Sequence, residues 1–144
     1  MVPVLEAGVW EKAEARPLVM VVNDDAAMRD ALQFVLRLEG LDVLVHADGA
    51  ALLASRDLPR TKCLIVKDRL PGMDAFEVLQ RLRERELSLP VILLTSAATP
   101  ALSGRAQAAG VWMVLEKPIL DNRLVEAVTS VLAGSAPSNL RRIP

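Results

Sequence analysis

Short apolar runs alternate along the chain with longer segments in which apolar residues recur at helical spacing. Five runs have the length and composition of β-strands, and several are apolar at almost every position, as in strands buried on both faces. The predicted strands are residues 18–22, 42–46, 62–66, 91–95 and 112–115. A segment with helical periodicity follows each strand. The predicted helices are residues 26–39, 48–56, 74–85, 101–109 and 119–132.

This strict alternation of strand and helix predicts an α/β fold. Parallel strands need crossover connections, and right-handed crossovers leave few possible topologies. We expect a single doubly wound five-stranded parallel sheet with the flavodoxin-like strand order 2-1-3-4-5 and helices on both faces. Residues 17–133 are predicted to form this domain. Residues 1–16 are predicted to be an N-terminal extension, and residues 134–144 a polar C-terminal tail.

Composition narrows the function class. The 144 residues are 52% hydrophobic with a formal net charge of −1, which predicts a globular protein and gives no electrostatic reason to expect nucleic acid or an anionic membrane as a partner. No apolar run approaches the length of a membrane span, and no secretory signal is apparent, so a cytoplasmic location is expected. The single cysteine, Cys63, excludes an internal disulfide and is predicted to be buried and inert.

Polar residues follow the predicted strands at the edge where ligand chemistry gathers in doubly wound folds. Because the carboxyl ends of parallel strands meet at one edge of the sheet, these residues form the candidate site. They are Asn23, Asp24 and Asp25 after the first strand, Lys67 and Asp68 after the third, Thr95 at the end of the fourth, and Lys117 after the fifth.

These positions resemble the conserved loops of response-regulator receiver domains, and the resemblance covers about residues 17–133. Four motifs stand in register with the predicted strands. They are Asn23-Asp24-Asp25 for the acid cluster, Pro71-Gly72-Met73 for the loop after the third strand, Thr95 for the hydroxyl residue, and Lys117-Pro118 for the Lys-Pro pair. In the family, the acid cluster and an acceptor aspartate hold Mg²⁺, which neutralises the incoming phosphoryl group.

The chain departs from the family pattern at the positions that carry the chemistry. Counting four residues back from Pro71 places Lys67 where the resemblance implies the acceptor aspartate. An ammonium group cannot form the acyl phosphate. Asn23 replaces the first acid, and Val114 stands where an aromatic switch residue is usual. The resemblance therefore implies a receiver domain with a degenerate pocket and no phosphorylatable residue at the acceptor position.

The pocket charges are expected to balance, with Asp24 and Asp25 facing Lys67 and Lys117. We expect Lys67 to form a structural ion pair, and Lys117 to pair with Asp24. Two carboxylates beside a resident ammonium are a poor Mg²⁺ site, so Mg²⁺ binding is predicted to be weak or absent, and no other cofactor is expected.

Two alternatives stay open. Asp68 could serve as the acceptor in a phosphorelay, although a shift of one residue points its side chain to the opposite side of the strand end. The chain could instead be a small-molecule-binding flavodoxin-like domain, although the acidic residues 23–26 would repel a phosphate.

The interpretation that we favour is an atypical receiver domain in two-component, phosphorelay signal transduction. It would act by protein–protein interaction without aspartyl phosphorylation and without enzyme activity. The expected partner is a signalling protein such as a histidine kinase or a downstream effector. The expected contact surface is the fourth helix, fifth strand and fifth helix, and a homodimer through residues 101–133 is possible. Direct DNA binding is not expected, since no helix-turn-helix fits after residue 133.

Overall fold

A single five-stranded parallel sheet organises the computed structural model, which describes residues 16–117 and 122–134. The strands are β1 (Leu18–Val22), β2 (Asp42–His46), β3 (Thr61–Lys67), β4 (Val91–Thr95) and β5 (Met113–Glu116). Their spatial order is β2-β1-β3-β4-β5, and every neighbouring pair is parallel. The predicted fold class and strand order are confirmed.

Five α-helices connect the strands. They are α1 (Ala26–Leu38), α2 (Gly49–Leu53), α3 (Ala75–Glu84), α4 (Pro100–Ala108) and α5 (Arg123–Leu132). Asp25, Asp48, Asp74 and Thr99 cap the first four helices, each accepting a hydrogen bond from a backbone N–H in the first turn. These caps satisfy donors that no helical carbonyl can reach.

The second helix is shorter than the predicted 48–56. The Ser55 hydroxyl accepts a hydrogen bond from the backbone N–H of Asp57, which stabilises a turn in place of another helical turn. A 3-10 helix, Leu58–Arg60, then buries Leu58 and leads into β3. For the last helix, residues 119–121 of the prediction lie outside the described residues, and α5 begins at Arg123.

Alternating side chains divide the core into two layers, one on each face of the sheet. Met20 and Val22 of β1 point to one layer, which packs against α2, α3 and α4; Val19 and Val21 point to the other, which packs against α1 and α5. Cys63 lies in the second layer, fully buried, and burial raises the pKa of its thiol to about 12, so the prediction of an inert thiol holds. Within the described residues, no helix is long and apolar enough to cross a membrane.

Candidate functional site

The carboxyl ends of the four strands β1, β3, β4 and β5 bring the polar residues together. Parallel pairing places Lys67 beside Leu94, and Thr95 beside Glu116. The β3–β4 pairing continues one step further, because the backbone N–H of Asp68 donates a 2.8 Å hydrogen bond to the carbonyl of Leu94. Both Lys67 and Asp68 are therefore held by the sheet rather than by a free loop.

Lys67 reaches across the strand ends to the residue that follows Asn23. Its Nζ lies 2.8 Å from Oδ1 of Asp24, in an ion pair that solvent reaches, with 24% of the Lys67 side chain and 39% of the Asp24 side chain exposed. The hydrogen bond from Lys67 holds the pKa of the Asp24 carboxyl below its ordinary value, against the opposing effect of burial, and the positive charges of Lys67 and Lys117 add to this.

The other two residues of the predicted acid cluster have local roles. The Asp25 carboxylate accepts hydrogen bonds from the N–H groups of Ala27 and Met28 at the start of α1, at 2.9 and 3.2 Å. Asn23 is fully buried, and its Oδ1 accepts from the backbone N–H of Asp25 at 3.0 Å. Its Nδ2 finds no hydrogen-bond partner among the described residues. The cluster is thus one exposed carboxylate, one helix cap and one buried amide.

Asp68 points to a different partner from its neighbour Lys67. The buried hydroxyl of Thr95 donates a 2.8 Å hydrogen bond to Oδ2 of Asp68, and the backbone N–H of Arg69 donates to Oδ1, also at 2.8 Å. The sequence predicted that Thr95 lies at this edge of the sheet but assigned it no bonding partner; the structure bonds it to Asp68. The cause is the strand register, which the sequence does not specify: pairing Lys67 with Leu94 puts the next residues, Asp68 and Thr95, side by side.

Lys117 is placed differently from the prediction. It was expected to pair with Asp24, but no ion pair within 4 Å joins it to any residue that the structure describes. The Lys117 backbone N–H donates to the carbonyl of Thr95 at 2.7 Å, which fixes the strand end, while the ammonium acts on Asp24 only through its charge. Val114, at the predicted switch position, is half-buried and packs against the core layer of α2, α3 and α4.

A cleft of about 630 Å³ opens beside Asp68, between the ends of β3 and β4 and helix α4. Across this cleft the Arg105 guanidinium stacks over the Phe76 ring, 4.1 Å from its centroid. No sequence signal pointed to this contact. The lining residues are Asp68, Arg69, Asp74, Phe76, Thr95, Ser96, Ala97, Thr99, Ala101, Leu102 and Arg105.

Three side-chain oxygens that could bind a divalent cation are already engaged in other bonds. Mg²⁺ prefers an octahedron of oxygens, with carboxylates supplying the charge. Here Oδ1 of Asp24 is bonded to Lys67, both hydrogen bonds of Asp25 cap α1, and Oδ1 of Asn23 is bonded to backbone. Across residues 16–117 and 122–134, no group of three or more His, Cys, Asp or Glu side chains could hold a metal ion.

The fold and these strand-end loops match a known family along most of the domain. The model for the response regulator receiver domain matches residues 19–129. This chain belongs to the response-regulator receiver domain family. It is therefore a receiver domain of two-component signalling, and the family resemblance noted from its motifs is confirmed.

Curated relatives show the same relationship over most of this receiver domain. The chain is 32% identical over 120 residues to the transcriptional regulatory protein FixJ of Bradyrhizobium diazoefficiens, covering 83% of this chain and 58% of that protein. It is 36% identical over 117 residues to the C4-dicarboxylate transport transcriptional regulatory protein DctR of Rhodobacter capsulatus, covering 80% and 59%. The chain thus spans little more than half the length of these two relatives.

Solved structures agree with the receiver fold. The structure of FixJ-N superposes with a TM-score of 0.72 at 28% identity, covering 81% of this chain and 94% of that one. The Vibrio cholerae chemotaxis protein CheY4 superposes with a TM-score of 0.76 at 27% identity, covering 82% and 100%.

Proposed function

We propose that this receiver domain transmits its signal by protein–protein contact and without aspartyl phosphorylation. The observation that carries the proposal is the ion pair between Lys67 and Asp24, with 2.8 Å between Nζ and Oδ1. The family resemblance assigns the acceptor position to Lys67. The amine there has no carboxylate oxygen to phosphorylate, and it is bonded to Oδ1 of Asp24, one of the oxygens that a metal ion could use.

The importance of this ion pair is chemical more than energetic. Exposed or half-exposed pairs contribute only about 0.2–1 kcal/mol to folding, so the pair does not by itself hold the domain rigid. Its effect is to neutralise Asp24 and to place a fixed cation at the pocket. We propose that Mg²⁺ binds there weakly or not at all, because the metal would have to displace the ammonium from Asp24, and Asp25 already caps α1.

Asp68 is the second candidate acceptor, and one observation favours it. Its half-buried carboxylate lies beside the 630 Å³ cleft and is bonded to Thr95, the hydroxyl residue of the family pattern. Against it stands the absence of a metal-binding partner nearby, since the described carboxylates near the pocket are engaged by Lys67 or by a helix N-terminus. A phosphorelay through Asp68 is the alternative that the experiment below must exclude. Small-molecule binding in the cleft stays a prediction.

The proposed contact surface is formed by α4, β5 and α5. Helix α4 buries only Ser103 and Ala106, so most of its side chains are available to another protein. The proposed partner is a signalling protein, either a histidine kinase or a downstream effector. We propose no enzyme activity, and neither nucleic acid nor a membrane as a partner. A homodimer through residues 101–133 and a cytoplasmic location stay predictions.

The decisive experiment treats the protein with acetyl phosphate and Mg²⁺ and measures its intact mass. We expect no phosphoryl adduct on the natural chain, and none on Asp68→Asn. An adduct on the natural chain that disappears in Asp68→Asn would contradict the proposal and assign the acceptor to Asp68. The matched variant is Lys67→Asp, which returns a carboxylate to the acceptor position; an adduct on that variant alone supports the assignment of Lys67.

A second readout does not depend on a stable adduct. Beryllium fluoride with Mg²⁺ mimics the acyl phosphate of a receiver domain without a covalent bond. We expect the backbone amide NMR signals of Asp24, Asp68 and Thr95 in the natural chain to stay unchanged on its addition. Saturable shifts at these three residues would show a working phosphoryl site.

A further inference from the structure

Helix α1 carries a second apolar stripe that the fold does not use. Leu32 and Leu36 face the sheet and are buried. Ala27, Ala31, Phe34 and Leu38 recur at spacings of four, three and four residues, which places them on one line along another side of the helix, and all four are exposed.

The two large members of this stripe are exposed to an unusual degree. Phe34 is 64% exposed and Leu38 is 69% exposed, and with Val35 they are the exposed large hydrophobic residues of the described structure. Together with Asp30, Gln33 and Arg37 they line a hollow of about 420 Å³. Contiguous apolar surface bordered by polar residues is typical of an interaction site.

We propose that this α1 surface binds the same surface of a second copy of the chain, with the two helices antiparallel about a two-fold axis. In such a pair each surface must be complementary to itself. The stripe meets this requirement, because its first two side chains are small and its last two are large. An antiparallel pairing that sets Phe34 over Ala31 of the second copy also sets Leu38 over its Ala27.

The flanking charges fit the same arrangement. Asp30 and Arg37 lie together on one side of the stripe, along the hollow. In the antiparallel pair, the two-fold axis brings the Asp30 and Arg37 sides of both helices to the same edge of the interface. The carboxylate of Asp30 then lies within two residues of Arg37 of the second copy, close enough for the long arginine side chain to reach. Each dimer would contain two such opposite-charge pairs, whereas a parallel pairing would set like charges level with each other.

The expected dimer is weak. Helix α1 has 13 residues and is about 20 Å long, so one helix pair provides less contact area than the interfaces of stable complexes. This surface is also separate from α4, β5 and α5, so the proposal is independent of the proposed function.

The first test is sedimentation velocity of the full chain from low micromolar to millimolar concentration. We expect reversible, concentration-dependent dimer formation that Phe34→Asp weakens by at least about tenfold, because a central aromatic contact is replaced by a charge. Glu84→Arg, a change at an exposed position of α3, is the control and should leave association unchanged. A chain that stays monomeric throughout, or a dimer indifferent to Phe34→Asp, overturns the proposal; the second result would favour the 101–133 surface.

Charge exchange tests the two-fold geometry itself. Asp30→Arg and Arg37→Asp should each weaken the dimer, and the double variant should restore it, since the exchanged charges still face one another across the axis. No restoration overturns the antiparallel arrangement. If Phe34→Asp instead increases acrylamide quenching of Trp10 in a monomeric chain, the stripe is covered by residues 1–15 of its own chain and the proposal fails. All of these side chains are exposed, and Arg37 also donates a 3.4 Å hydrogen bond from Nη2 to the carbonyl of Val43, which Arg37→Asp removes. Unchanged far-UV circular dichroism is expected for every variant.

Discussion

The hydroxyl of Thr95, the last residue of β4, donates a 2.8 Å hydrogen bond to Oδ2 of Asp68, the residue that follows β3. Lys67, one residue earlier, bonds to Asp24. Lys67 at the end of β3 and Asp68 directly after it thus divide the candidate site into two parts, an ion pair near β1 and a hydroxyl–carboxylate pair near β4. The first part bears on metal binding and the second on the alternative acceptor.

The Thr95–Asp68 hydrogen bond should be measurable as a coupling energy. Thr95 is buried and its acceptor is a half-buried carboxylate, so we expect Thr95→Val to lower the free energy of unfolding by about 1 kcal/mol. Asp68→Ala should have a similar effect, and the double variant should cost less than the sum of the two. Urea unfolding of the four proteins completes the cycle. Strictly additive losses would mean that the two side chains do not interact in solution.

The Lys67–Asp24 ion pair predicts a pH dependence of stability. The pKa of Asp24 in the folded chain lies below its ordinary value of 3.8, mainly because of the hydrogen bond from Lys67. A lowered folded pKa stabilises the fold above 3.8, and this contribution is lost as the pH falls through the folded value. Lys67→Met removes the partner, so at neutral pH it should lower the free energy of unfolding by about 0.5 kcal/mol, as is typical of exposed pairs.

The difference between the natural chain and Lys67→Met should therefore shrink below pH 3.8 and vanish once Asp24 is protonated. Urea unfolding at a series of pH values gives this difference, and NMR titration of the Asp24 carboxyl gives its pKa in both proteins. The same pKa for Asp24 in both would contradict the ion pair.

The sheet order and most element positions could be predicted from the sequence, because apolar runs of strand length such as residues 18–22 and 91–95 alternate with segments of helical periodicity. The end of α2 could not be predicted, since the turn formed by the Ser55 hydroxyl competes locally with a further turn of helix. The predicted boundaries of β3 and β5 were each wrong by one residue at both ends. Pairing with the neighbouring strands β1 and β4, not local composition, decides where these two strands begin and end.

The candidate site was predicted in part. Residues that follow strands gather at one edge in any doubly wound fold, so the approach of Lys67 to Asp24 could be anticipated. The division of the site into two bonded pairs could not be anticipated, because it depends on the strand register that puts Asp68 beside Thr95. The predicted pairing of Lys117 with Asp24 was also wrong. Three-dimensional packing sets the direction of a side chain at a strand end, and the spacing of motifs does not specify that packing.

Substitutions of Asp25 distinguish a helix-capping role from a metal-binding role. Its carboxylate accepts from two N–H groups at the start of α1, so Asp25→Ala should lower the free energy of unfolding by about 1 kcal/mol. Asp25→Ser should recover most of that loss, since a serine hydroxyl caps equally well without a charge. Thermal or urea unfolding checks both variants with and without Mg²⁺. A stability change in Asp25→Ser that depends on Mg²⁺ would instead make Asp25 a metal ligand.

Replacement by alanine should change the free energy of unfolding in opposite directions at two helical glycines. At Gly49, a Cβ atom would lie 2.5 Å from Cγ2 of Val78, where α2 packs against α3. Gly49→Ala must therefore push the two helices apart and should lower the free energy of unfolding by about 1–3 kcal/mol, the usual cost of overpacking.

At Gly104, inside α4, a Cβ atom meets nothing within 4 Å. Gly104→Ala should raise the free energy of unfolding by about 0.5–1 kcal/mol, because alanine loses less backbone freedom than glycine when a helix forms. Urea unfolding of the two variants beside the natural chain measures both effects. Because the substitution is identical, a general effect of alanine cannot produce opposite signs. Equal changes at the two positions would show that the α2–α3 contact at Gly49 is looser in solution than the 2.5 Å approach requires.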